Sequence, residues 1–242
     1  MNEVLKQLKE RKSIRVFTDQ EISKEAKDAI LEAAVNAPTA GTQQMYTILD
    51  ITDQEIKEKL VKSCDNQPFI AQAKMVLIFC ADYQKWYDCF LSAGCEPRHP
   101  GVGDLLLAVS DTNIAAQNAV TAAHSLGIGS CYIGDIMENC EFHRELLNLP
   151  DYVFPAAMLV FGYPTEQQLT RAKPERVNMK HIVHENKYRK MDKEELQEMF
   201  DGRTYQLSFE EYMKRVCSFK YNSDFSKEMT RSVAEYIKKF TD

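Results

Sequence analysis

The hydrophobic pattern changes period several times along the 242-residue chain, and each change marks an element. Asp104 to Leu126 contains no Gly or Pro and is apolar or small on most faces, with Leu105, Leu106, Leu107 and Val109 followed by Ala115, Ala116, Ala119, Val120, Ala122 and Ala123. At 1.5 Å per residue this predicts a helix of roughly 34 Å, long enough to cross a domain. A helix apolar nearly all round is buried nearly all round, so this is the expected core helix. Asp111, Asn113, Gln117, Asn118 and His124 interrupt the apolar surface. They argue against a lipid-spanning segment, which needs about 20 predominantly apolar residues. Gly127 supplies a left-handed stop, and Gly129 to Asp135 reads as a strand entering a tight turn at Gly134.

The flanking pattern is shorter in range. Asn2 caps a helix with Val4, Leu5 and Leu8 on one stripe, and Ser23 opens a second helix that ends before Pro38. Tyr46 to Ile51 alternates as a strand, and Thr52 with Glu55 predicts a capping box for a helix reaching about Lys62. Lys74–Cys80 and Phe154–Phe161 are unbroken apolar runs that suit buried strands, and His143–Leu149 reads as a short helix. Trp86, Tyr87 and Phe90 share a helix face ahead of a loop at Gly94–Gly101, so residues 86–100 form a candidate lid. From Met191 the chain changes to three charged amphipathic helices, Lys193–Phe200, Ser208–Cys217 and Ser226–Phe240. The expected division is a domain over 1–190 and a helical extension over 191–242, packed on that domain or on a partner subunit.

Composition narrows the class of protein. A net charge of −6 argues against nucleic acid or an anionic membrane as the main partner. The charged N-terminus lacks the apolar stretch of a secretory signal, so the cytoplasm is the expected compartment. Seven cysteines without a C-x-x-C spacing read as reduced thiols rather than zinc or iron–sulfur ligands.

Candidate chemistry lies in the loops. Arg11, Lys12, Ser13 and Arg15 concentrate cations and a hydroxyl at a helix end; they suit a phosphate dianion, or equally complement the helix dipole. Asn36 to Tyr46 exposes amides and hydroxyls at a turn, either as a connection or as a surface for the edge of a heterocycle. Arg171 to Arg176 is a second basic cluster, and both clusters are explained together if they converge on one phosphate.

With these residues in view, the chain resembles the nitroreductase family of FMN-dependent flavoproteins. Four stretches carry the resemblance, in the family's order and spacing: Arg11–Arg15, Ala37–Gln44, Gly127–Gly134, and Gly162-Tyr163-Pro164 with Lys173 and Arg176. Together they span about Met1 to Tyr188. The resemblance implies an α+β fold with a central, mostly antiparallel sheet between helices, and a homodimer with two FMN sites whose core helix is also the dimer helix. It implies that Arg11, Lys12, Ser13 and Arg15 meet the flavin phosphate and the pyrimidine end of the ring. Pro38, Thr39, Ala40, Thr42 and Gln44 would come mostly from the other subunit, Ile133 and Gly134 would offer backbone to the ring, and Lys173 and Arg176 would return to the phosphate. Arg15 is the candidate cation beside N1 and the C2 carbonyl, and no side-chain nucleophile or metal is implied. Thr42 stands where many relatives carry Asn, and Lys-Pro-Glu-Arg replaces a shorter Lys-Pro-Arg. The implied activity is hydride transfer from NADH or NADPH to nitroaromatics, quinones or free flavin in a ping-pong cycle. The alternatives are another reaction on the same fold, such as dehalogenation or dehydrogenation, or flavin binding without turnover.

Overall fold

Four strands carry the interior: β1 (Tyr46–Asp50), β2 (Met75–Asp82), β3 (Gly129–Ile133) and β4 (Val153–Gly162), hydrogen-bonded in the order β1-β2-β4-β3 with every pair antiparallel. All residues of β2 and β4 are buried, which is why both read as continuous apolar runs. Alternation along β2 still separates two cores, since successive side chains point to opposite faces. Leu77 and Phe79 face one side with Leu159 and Phe161, whereas Val76, Ile78 and Cys80 face the other with Met158 and Val160.

The computed structural model describes residues 1–241. The sheet is joined by the helices α1 (Glu3–Glu10), α2 (Lys24–Val35), α3 (Gln54–Ser63), α4 (Phe69–Gln72), α5 (Gln84–Ser92), α6 (Val102–Ser125), α7 (Cys140–Leu147), α8 (Glu166–Thr170), α9 (Lys193–Glu198), α10 (Phe209–Val216) and α11 (Asp224–Lys238). The first face of the sheet is covered by α2, through Ile30 and Ala34, and by α6, whose Ala115, Ala116, Ala119 and Ala123 permit close approach. Leu60, Cys64 and Ile70, in and around α3 and α4, cover the second. No helix among the described residues is long and apolar enough to cross a membrane.

Several expectations change. Asp53, rather than Thr52, caps α3, its carboxylate accepting from the backbone N–H groups of Glu55 and Ile56. The helix expected at His143–Leu149 begins earlier, at Cys140. Helix α6 is not buried nearly all round: Leu106, Leu107 and Ile114 are exposed on a face that this chain alone leaves uncovered.

The chain forms two compact units, Met1–Arg171 with the segment from Glu228 onward, and Ala172–Lys227. This partition differs from a boundary near Met191, because the last helix belongs to the first unit's interior. Tyr236 and Phe240 pack with Met45, Ala81 and Phe154, and Ser232 accepts from the Cys140 N–H at 2.9 Å while donating to the Met137 carbonyl at 2.7 Å. The second unit contains α9, α10 and a cluster of Phe200, Phe209 and Tyr212.

Beside this C-terminal helix, burial pushes the Glu138 carboxyl up to about 7, with Asp135, Glu228 and Asp65 adding repulsion. A carboxyl raised in the folded state favours folding below its unfolded pKa, and that contribution is lost as pH rises through the folded value. Stability should therefore decline between about pH 4.5 and 7 through this group. Glu138→Gln should flatten that part of the urea-midpoint profile, and an unchanged slope would contradict the assignment.

Candidate functional site

The segment after α1 is held against β3. Ile14 donates its N–H to the Ser130 carbonyl at 2.9 Å, and Ser13 bridges Ser130 in parallel. Gly129 and Gly162 permit the approach: a Cβ at Gly129 would lie 2.6 Å from the Ile14 side chain, and one at Gly162 would lie 2.7 Å from the Phe17 ring. The exact side-chain packing of Ile14 and Phe17 thus accounts for two of the glycines in the motifs.

Arg15, Ser13 and Arg11 all act on Cys131. Its thiol is raised by burial, an effect that Arg15, Ser13 and Arg11 oppose. One guanidinium nitrogen of Arg11, Nη1, is buried and has no hydrogen-bond partner among the described residues. Lys12 is placed differently, its Nζ donating to the carbonyls of Leu169, at 2.7 Å, and Arg171. Arg171 in turn donates to the Ser13 carbonyl at 2.5 Å. Of the second basic cluster, Arg171 therefore joins this group, a pairing across more than 150 residues that no local pattern announces. Lys173 and Arg176 belong to the second unit, where Arg176 donates to the Pro174 carbonyl at 3.1 Å.

Strand β3 exits at Ile133, which is buried, into a 3-10 turn starting at Gly134. A Cβ at Gly134 would meet only the Met137 methyl group, at 3.9 Å. No described residue demands glycine there, and the backbone is left open on that side. Gln67, missed in the sequence, closes this corner by donating to the Asp135 carboxylate at 3.2 Å and the Cys64 carbonyl at 3.0 Å.

The Pro38–Gln44 loop stands elsewhere. Pro38, Gly41 and Thr42 are exposed, and Gly41, Thr42 and Gln44 all have positive φ (55°, 60° and 48°). Asp111 of α6, itself 3 % exposed, holds this bend by accepting from the Thr39 hydroxyl and from the Ala40 N–H at 3.0 Å. The Thr39 oxygen also accepts from the Gln44 N–H at 2.8 Å, the Gln44 amide donates to the Val35 carbonyl at 3.0 Å, and the Trp86 indole donates to the Gln43 carbonyl at 2.8 Å. The hydroxyl of Thr39 and the amide of Gln44 thus hold the loop itself. A β-branched residue in the left-handed region is strained, whereas Asn visits it readily. Thr42→Asn should raise stability by about 1 kcal/mol in denaturant titration; a loss would contradict this.

Strand order separates the two groups within one chain. Three strand spacings lie between β1 and β3, roughly 14 Å. Tyr46 is level with Phe154 and Ser130 with Phe161, roughly 23 Å apart along the strands. The diagonal is roughly 27 Å, so the Pro38–Gln44 bend and the Arg11–Arg15 segment stand far apart within one chain. Next to the loop, Tyr83, Tyr87, Phe90, Cys95 and Arg98 line a cavity of about 300 Å³, with Arg98 paired to Asp104 at 2.5 and 2.9 Å.

With this geometry in place, comparison with known proteins is informative. The profile of the nitroreductase family matches residues 8–163. An FMN reductase (NAD(P)H) of Bacillus subtilis strain 168 is 32% identical over 246 residues, covering 99% of this chain and 92% of the relative. An oxygen-insensitive NADPH nitroreductase of Salmonella typhimurium is 38% identical over 182 residues, covering 75% and 72%. The structure of an NADPH:FMN oxidoreductase from Vibrio harveyi, complexed with NAD+, superposes with a TM-score of 0.82 at 25% identity, covering 98% of each chain.

Proposed function

The chain belongs to the nitroreductase family, and from that premise we propose that it is an FMN-dependent oxidoreductase that takes hydride from NADH or NADPH and reduces nitroaromatic, quinone or flavin acceptors. The observation that carries the reading is the buried Arg11 Nη1, which has no hydrogen-bond partner among the described residues, in the same short segment as Ser13 and Arg15. A donor nitrogen withdrawn from water and left unpaired costs free energy, and an anionic oxygen removes that cost. The donor set therefore fits a flavin phosphate and the polar end of its ring.

Bound FMN supplies the hydride and electron chemistry. The chain's own residues position and tune it. Arg11 and Ser13 bind the phosphate, and Arg15 places a fixed positive charge where negative charge accumulates on reduction. Lys12 acts indirectly, fixing the 169–171 segment through its carbonyls. Ile133 and Gly134 present backbone to the ring. Gly134→Ala should leave the unfolding midpoint of the apoprotein within about 0.5 kcal/mol of wild type while weakening FMN binding in fluorescence titration; equal affinity would remove the ring from this corner.

The second half-site, Pro38–Gln44, is proposed to serve the flavin of a partner copy. Support comes from the separation across the sheet and from the apolar surface left exposed by one chain: Val4, Leu5 and Leu8 on α1, and Leu106, Leu107 and Ile114 on α6. The expected species in sedimentation is a homodimer binding two FMN. Steady-state assays should show NAD(P)H oxidation that requires both FMN and an acceptor, with the parallel double-reciprocal lines of a ping-pong cycle. A well-folded, FMN-loaded sample that does not oxidise either nicotinamide would contradict the proposal.

A further inference from the structure

We propose that Asp111 is the positioning residue of the second half-site, and that it acts in trans on the flavin bound chiefly by the partner copy. The proposal rests on the FMN reading above and adds a residue that lies on the core helix, not in any of the loops that face a ligand. Three observations carry it. Asp111 is 3 % exposed, yet none of the described residues forms an ion pair with it; its two carboxylate oxygens are spent instead on the Thr39 hydroxyl and the Ala40 N–H. A buried charge is costly unless its hydrogen bonds are made, so this carboxylate and the loop stabilise each other. The loop it grips holds three residues with positive φ, Gly41, Thr42 and Gln44, two of which are not glycine. Such backbone persists only where its surroundings over-determine it.

The bond from Asp111 continues through Thr39 to the Gln44 N–H, so one carboxylate sets both ends of the bend. A rigid bend presents its amides and hydroxyls without an ordering cost at the moment of binding. Helix α6 is the rigid support: Ala108, Thr112 and Ala115 around Asp111 are buried. The bend stands at the β1 edge, while Arg11–Arg15 stand at the β3 edge of the same chain. Loss of Asp111 should therefore damage the site whose cations come from the other copy.

The test uses Asp111→Asn, which keeps the volume but replaces one acceptor with a donor facing Thr39 or Ala40. FMN affinity of the apo-dimer should fall roughly 10- to 100-fold, the loss expected for charge-assisted bonds. The decisive measurement is a hybrid dimer, one chain carrying Asp111→Asn and the other Arg15→Glu, purified with two affinity tags. If the half-sites are shared between copies, one site in the hybrid is intact and the other doubly impaired. One FMN per dimer should then bind with wild-type affinity, read by flavin absorbance after equilibrium dialysis. Two weak sites and no intact one would overturn action in trans, and an Asp111→Asn dimer that binds FMN as wild type would overturn the positioning role. Failure of wild-type protein to bind FMN would instead overturn the functional reading itself.

Discussion

Replacing Arg15 with Glu is expected to abolish retention of FMN through purification and to weaken its binding about 100-fold or more, while leaving the fold intact. The size of the effect follows from two losses. A charge-assisted hydrogen bond contributes roughly 1.5–3 kcal/mol, and a carboxylate in place of the guanidinium adds repulsion toward an anionic ligand. The fold is spared because Arg15 is exposed and forms no ion pair among the described residues; its backbone N–H, which bonds the Gln168 amide oxygen at 3.4 Å, survives the substitution. The check is a flavin fluorescence titration run beside a thermal unfolding scan. Unchanged affinity would mean that this cation serves only the end of α1, or binds some other phosphorylated ligand.

The largest expected effect on stability lies far from that site. Tyr236 in α11 is fully buried, meets the Phe154 ring edge-on at 5.1 Å and lies 5.1 Å beneath the Arg144 guanidinium. Tyr236→Ala should cost about 4 kcal/mol, the range for removing a large aromatic from a core. For a chain of this size each kcal/mol shifts Tm by about 2–4 °C, so a fall of roughly 8–16 °C is expected in differential scanning calorimetry. A much smaller shift would mean that α11 is peripheral, as its charged, amphipathic sequence suggests. The ion pair that ties the helix down, Arg231 with Glu141 at 2.8 Å, is partly exposed and contributes little by comparison.

That contrast shows what local pattern can and cannot specify. Strands β2 and β4 were legible because burial on both faces leaves no position free for a polar residue, and α6 because its length and small residues have few other uses. The motif around Arg11–Arg15 was legible as a group of donors, and the family resemblance supplied its ligand. An amphipathic stripe, by contrast, states that one face is covered without stating by what, so α11 read as an outer arm although Tyr236 and Phe240 complete a core with Phe154. The same limit applies to polar partners. Asp111 interrupts the apolar surface of α6 and looks like a defect in the pattern; its role depends on Thr39, 72 positions earlier. Lys12 looked like a phosphate ligand because a cation's preference does not reveal that two carbonyls more than 150 positions away are within reach.

The central claim is tested most directly by the visible absorption spectrum of the purified protein, reconstituted with FMN and recorded anaerobically before and after adding NADH or NADPH. The account predicts a flavin band that bleaches on addition of nicotinamide and returns when a quinone or nitroaromatic acceptor follows. A band that persists under both nicotinamides, in protein shown to be folded and loaded, would contradict it.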